Sequence, residues 1–161
     1  MINMIIQKAI EYDKGDARRI NHFIKVYAYS KLIGELEGLD KNQQQILEIA
    51  AVLHDIGIHE SERKYNSSAG SYQQIEGPPI AIDILNSLNI PKEIIMRVCY
   101  LISHHHTYTD ITEIDYQILI ESDFIVNIYE DNLSIKQIES IKEKIFKTKS
   151  GLEILCNTFN L

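Results

Sequence analysis

The chain has 161 residues, 45% of them hydrophobic, which is enough for one compact domain with a buried core and tight for two. A formal net charge of -7 argues against a broad nucleic-acid or anionic-membrane footprint, although it leaves room for a local basic pocket. No uninterrupted apolar run approaches the roughly 18 residues of a membrane span.

The N-terminal "MINMIIQKAIEYDKGD" has too short an apolar part for a secretory signal, and Lys8 and Glu11 interrupt it. Its periodicity predicts a first helix over about 3 to 12 and a long second one over about 16 to 38, closed by "EGLD". "KNQQQILEIAAVLHD" reads as a third helix with Ile46, Ile49, Ala50 and Leu53 inward. The following "ERKYNSSAGSYQQIEG", rich in Ser and Gly, reads as an irregular crossing segment that could act as a lid, with Tyr65 or Tyr72 stacking on a base. Pro78 and Pro79 suit the first turn of the next helix, "PPIAIDILNSL", and Pro91 similarly opens "PKEIIMRVCYLISHHH". Two more helices follow at about 113 to 130 and 134 to 147, the latter opening on a capping box of Ser134 and Gln137, and "SGLEILCNTF" closes the chain. Strand alternation is scarce, and no repeat, low-complexity tract or linker interrupts the pattern. The expectation is an all-α, single-domain bundle over 1 to 161. Cys99 and Cys156, in apolar contexts without CxxC spacing, suggest reduced thiols and a soluble, cytoplasmic protein.

The chemistry gathers in a few places. All six histidines lie between positions 22 and 106: His22, His54, His59 and the run His104, His105, His106. His22 heads a helical stripe continued by Val26, Tyr29, Ile33 and Leu36, which places it inward. His54 follows the small residues Ala50 and Ala51 by one turn, so there is space beside it. Asp123 has Leu119, Ile120, Val126 and Asn127 as its one-turn neighbours and therefore points into an apolar face. An unpaired buried carboxylate costs several kcal/mol, and no Lys or Arg occurs from His104 to Ile135 to compensate it. A metal ion shared with the histidines would. Each residue alone has a plainer reading: a core or surface His for His22, a helix cap for Asp123, and for the His run a polar helix end that suits the negative end of the dipole.

The order His22, "LHDIG" at 53 to 57, and Asp123 in "ESDFIVN" resembles the HD superfamily of metal-dependent phosphohydrolases, over roughly residues 18 to 130. The resemblance implies an all-helical bundle with the helices from 134 to 159 packed on its core. It also implies that His22, His54, Asp55 and Asp123 are metal ligands. Some members of the family hold a second metal; on that likeness His104 and His105 would join it, with Glu76 standing near the place of a missing histidine. Carboxylate and imidazole donors suit Mn, Fe, Ni, Zn or Mg, at one or two ions per chain. The "HDIGK" form of the motif is broken here by Ile58, so His59, Glu60 or Lys64 would take the lysine's role.

The activity implied is hydrolysis of a nucleotide or related small phosphoester by a metal-activated water, with Asp55 holding both metal and nucleophile and Glu60 or His59 serving as acid or base. Arg18 and Arg19 lie one turn before His22, and Arg63 and Lys64 open the next segment; these are the candidate phosphate contacts, and surface solvation is the plainer role for each. Two other classes fit the same residues: a di-iron HD-fold oxygenase, and a non-catalytic, metal-stabilised domain that senses a nucleotide. The partner expected is a small phosphorylated molecule rather than duplex nucleic acid or membrane. A homodimer would be compatible with the helical faces, although no stripe marks its interface.

Overall fold

The computed structural model describes residues 1–161 and contains only helices, nine of them: α1 (Ile2–Tyr12), α2 (Ala17–Leu36), α3 (Lys41–Leu53), α4 (Ile58–Tyr65), α5 (Gly70–Ser87), α6 (Lys92–His104), α7 (Ile114–Glu130), α8 (Ile135–Ile145) and α9 (Lys149–Phe159). No helix is long and apolar enough to cross a membrane. Two helices form the centre. In α3 every residue from Ile46 to Leu53 is buried, and in α7 burial runs almost unbroken from Asp115 to Ile128. Such all-round burial requires neighbours on several sides. Helix α2 packs on both, α6 closes the far side of α3, and α5 lies against α6. One continuous apolar core of 31 buried residues joins them.

Helix starts are chemically marked. Asp16 accepts a hydrogen bond from the Arg19 amide, Asp40 from the amides of Asn42 and Gln43, and Thr148 from that of Gly151. Ser134 and Gln137 form the capping box expected of α8, the Ser134 amide donating to Gln137 Oε1 at 2.9 Å. The stripe beginning at His22 is buried at Val26 and Ile33, but Leu36 at the helix end is exposed.

The segment expected to be irregular is largely helical. Residues 58–65 form α4, which the chain leaves through Asn66 in the left-handed conformation (φ 52°). Helix α5 begins at Gly70 and runs straight through Pro78 and Pro79, rather than starting at them. The two prolines remove the amides that would meet the carbonyls of Gln74 and Ile75. Ile75 and Pro79 both face solvent, where water can replace a missing donor. What keeps α5 continuous is packing on α4 and α6.

A fully buried carboxylate ties the C-terminal helices to the core. Glu121 of α7 accepts from the amides of Lys147 and Thr148, the Thr148 hydroxyl and Gln117 Nε2. Residue 151 is Gly because any Cβ there would collide with the Glu121 carboxylate.

Candidate metal centre

Four helices bring polar atoms to one point in this apolar core. Helix α2 supplies His22; the turn after α3 supplies His54 and Asp55; α6 ends in the histidine run; α7 supplies Asp123. Both α3 and α6 point their C-terminal ends, the negative ends of their dipoles, toward the cluster, which favours a cation there.

The distances are short and mutually consistent. His22 Nε2 lies 3.2 Å from His54 Nε2 and 3.1 Å from Asp123 Oδ1, and His54 Nε2 lies 3.6 Å from the same carboxylate oxygen. Asp55 Oδ2 is 3.5 Å from each imidazole. Donors bound to one ion at about 2.1 Å sit roughly 3.0 Å apart along an octahedral edge and about 3.4 Å apart in a tetrahedron. The four side chains named by the sequence therefore converge at the spacing of a coordination shell.

Hydrogen bonding at the far side of each ring sets its tautomer. His54 Nδ1 is 2.9 Å from the Ala51 carbonyl and His105 Nδ1 is 2.7 Å from the Ile102 carbonyl; a carbonyl only accepts, so both Nδ1 atoms carry the proton. His22 Nδ1 is 2.9 Å from Glu130 Oε2, again an acceptor. In its neutral form each ring then turns an Nε2 lone pair inward, toward other lone pairs and the carboxylates. Only a cation or extra protons can hold such donors together. His105 Nε2 is buried with no hydrogen-bond partner, an orphan at the lip of the cluster. The residues present fit a divalent ion.

A second group of donors adjoins the first: Asp55, His105 and His106. Asp55 Oδ1 lies 3.3 Å from His105 Nε2, while its other oxygen faces His22 and His54. One carboxylate thus addresses both groups. The histidines gathered here are His105 and His106, and His104 is not among them. His104 leans away, its Nδ1 2.7 Å from the Tyr100 carbonyl and its ring stacked on Tyr100 at 4.1 Å. Glu76 is also placed elsewhere: Lys64 Nζ and the Tyr65 hydroxyl hold its two oxygens at 2.6 and 2.8 Å. Gln73, one turn earlier on α5, is the residue that reaches the second group, its Oε1 3.3 Å from His106 Nε2.

Electrostatics follow the geometry. Burial acts against charge on all four core donors, yet the contacts outweigh it. The His22 pKa is raised by its hydrogen bond to Asp123, and His54 is pushed up to about 9 by Asp55 and Asp123. Burial would likewise raise Asp55 and Asp123, but the neighbouring imidazoles hold both well below the carboxylate range. His106 goes the other way: burial, reinforced by His105, lowers it to about 4, so it stays neutral and able to donate a lone pair.

The cluster forms one end of a cleft of about 400 Å³ lined by Asp16, Arg18, Arg19, His22, Asp55, Ile58, Glu62, Ser68, Gln73, Asn127 and Glu130. Of the cations expected to meet phosphate, Arg18 lines the cleft and has no carboxylate partner, while Arg19 is tied to Asp16 and Glu62 at 2.9 and 2.7 Å. Arg63 and Lys64 lie outside it, Arg63 on Glu60 at 2.6 Å and Lys64 on Glu76. Glu60, held to about 2 by its hydrogen bond to Arg63, points to that surface pair and does not line the cleft. His59 sits beside the rim, within 3.0 Å of Arg19 and 3.4 Å of buried Asp13. Tyr65 and Tyr72, expected to stack on a base, stack on one another at 4.1 Å, and neither lines the cleft.

Two cleft residues were not legible as functional from the sequence. Asn127 donates to Asp123 Oδ1 at 2.9 Å, and Glu130 accepts from His22. Both share Asp123's face of α7, at i+4 and i+7, and that spacing was the signal available.

The family model for the HD domain matches residues 19–146. The crystal structure of a predicted HD superfamily hydrolase from an uncultured Thermotogales bacterium is similar in fold, with a TM-score of 0.67 at 22% identity, covering 99% of this chain and 83% of that one. A comparison with curated proteins gives no match. The four converging side chains, in the order His22, His54, Asp55, Asp123, stand within the matched residues, and the chain belongs to the HD domain family.

Proposed function

We propose that the chain is a metal-dependent phosphohydrolase acting on a small phosphoester, a nucleotide or a related compound. One observation carries this reading: Asp55 stands at the end of a polar cleft with one oxygen toward His22 and His54 and the other toward His105. A bound divalent ion supplies Lewis acidity and lowers the pKa of its water from 15.7 to about 7.

The chain's own residues do the rest. His22, His54, Asp55 and Asp123 offer two imidazoles and two carboxylates, a donor set for hard or borderline divalent ions. Arg18, unpaired at the cleft wall, is placed to fork onto phosphate oxygens. Ser68, Gln73 and Asn127 present hydroxyl and amide groups, and Ile58 is the single hydrophobic side chain of the lining. With no Phe, Tyr or Trp in the wall, and its one imidazole, His22, turned to the donor cluster, this lining supports binding of the phosphate and its adjoining hydroxylated part inside the cleft, with any base outside.

The test is turnover of a panel of phosphomonoesters, phosphodiesters and nucleotides in the presence of Mn²⁺, Ni²⁺ or Mg²⁺. Asp55→Ala should lose at least a hundredfold in rate with its helicity intact, because the residue addresses both donor groups. An unaffected rate would refute the reading. The adjoining Asp55, His105 and His106 group favours a two-ion version, in which diester cleavage and di-iron oxygen chemistry both become accessible. Oxygen uptake by iron-loaded protein, without phosphate release, would select the latter.

A further inference from the structure

We propose that Glu130 is a positioning residue that presets His22 for metal binding, with Lys25 holding it in place. The inference rests on the reading that the cluster binds a cation, but it concerns residues outside the donor set.

The inward-facing imidazoles His22, His54 and His105 differ in what accepts their Nδ1 proton. His54 and His105 give it to neutral backbone carbonyls, of Ala51 and Ile102. Only His22 gives it to a carboxylate, Glu130 Oε2 at 2.9 Å. A carbonyl within the same turn fixes a ring through local backbone geometry. His22 has no such local acceptor: its partner comes from α7, 108 positions along the chain. Without Glu130 the ring could exchange tautomers or flip, and Nε2 would lose its inward lone pair. An ionised acceptor also makes the opposite nitrogen the more basic donor.

Glu130 is itself held. Its second oxygen lies 2.5 Å from Lys25 Nζ, and the Glu130 side chain is only 14% exposed. Lys25 follows His22 by three residues on α2, so α2 carries both the ring and the cation that restrains its acceptor. On α7, Asp123, Asn127 and Glu130 share one face; Asn127 Nδ2 steadies the Asp123 carboxylate at 2.9 Å as Glu130 steadies the ring. Helix α7 thus delivers one donor and the orienting partners of two.

The experiment uses the metal-free full chain and its Glu130→Gln, Glu130→Ala and Lys25→Met variants. Mn²⁺ affinity is read by calorimetry, and the His22 tautomer by ¹⁵N chemical shifts in the metal-free state. Glu130→Gln and Glu130→Ala should bind Mn²⁺ about 10- to 100-fold more weakly. Lys25→Met should show a smaller, several-fold loss. Glu130→Ala should also convert His22 from Nδ1–H to a mixture of tautomers, with metal-free melting close to wild type. Affinities within twofold of wild type, or an unchanged tautomer in Glu130→Ala, would overturn the proposal and leave Glu130 a partner of Lys25 alone. If wild type takes up no Mn²⁺ the metal reading fails separately, and the tautomer still decides whether Glu130 positions His22.

Discussion

Individual side chains divide into those whose role is visible from neighbours in sequence and those decided by a distant contact. Asp123 is of the first kind. Three of its four one-turn neighbours, Leu119, Ile120 and Val126, are apolar, so its burial and its need for a cation follow from the helical period alone. Arg18 and Arg19 are of the second kind, since adjacent residues on a helix point about 100° apart and only the fold assigns their faces. Arg19 is neutralised by Asp16 and Glu62, whereas Arg18 stands unpaired in the cleft. Arg18→Ala should therefore reduce kcat/KM toward a phosphoester by about 10- to 100-fold, the worth of a charge-assisted hydrogen bond. Arg19→Ala should cost mainly stability, so steady-state kinetics and denaturation of the pair separate the two roles. Equal kinetic losses would contradict that assignment.

Protonation at the same residues makes metal uptake pH-dependent, with a definite sign. His54, held up to about 9 by Asp55 and Asp123, carries an extra proton at neutral pH in the metal-free chain and must lose it to bind a cation, and the neighbouring carboxylates raise His22 in the same direction. Metal binding should release protons at pH 7, and apparent Mn²⁺ affinity should climb with pH until about 9 and then level. Calorimetry in buffers of different ionisation heat measures both effects. An affinity flat between pH 6 and pH 9 would show that the imidazoles are already neutral.

At the scale of elements, the turn joining α3 to α4 is set by close approach. Gly57 has an ordinary φ of -79°, so backbone freedom does not demand glycine there. Space does: a Cβ on Gly57 would come within 2.5 Å of the Gly77 amide nitrogen and 2.8 Å of the Gln73 carbonyl oxygen of α5. Gly57→Ala must push α5 away, which should destabilise the metal-free fold by about 1–3 kcal/mol in urea titration and weaken metal binding through the displaced Asp55. A variant with unchanged midpoint and affinity would show that the contact relaxes freely.

This contact also explains what the sequence concealed about α5. A stretch with Gly70, Gly77 and two prolines reads locally as a broken connector, yet its glycines are contact points. Gly70 lies flush against the His106 ring, and a Cβ on Gly77 would meet Ile102. Tertiary packing overrides the local propensity. Which histidine of the run faces inward was hidden for a related reason. Three consecutive residues at a helix end sweep most of a turn, and only the docking of α6 selects His105 and His106 over His104. Glu130, next to Asp131 at the end of α7, looks like ordinary solvated acid until α2 brings His22 against it.

For the whole molecule, the all-helical class was legible because 3.6-residue periodicity runs nearly the length of the chain, and the His22, His54, Asp55, Asp123 order was legible because those residues interrupt it on inward faces. If these four side chains hold a metal ion, the metal content of the purified chain must depend on them. Elemental mass spectrometry would be run on wild type and on Asp123→Asn, an isosteric change that removes the charge, each purified without an affinity tag. Wild type should carry at least one divalent transition metal per chain, largely lost in Asp123→Asn with the helical signal retained. A second equivalent would assign Asp55, His105 and His106 as its ligands. A wild-type protein that carries no metal and takes up none of Mn, Fe, Ni, Zn or Mg, or an Asp123→Asn variant that keeps its full complement, would contradict metal binding by these four side chains.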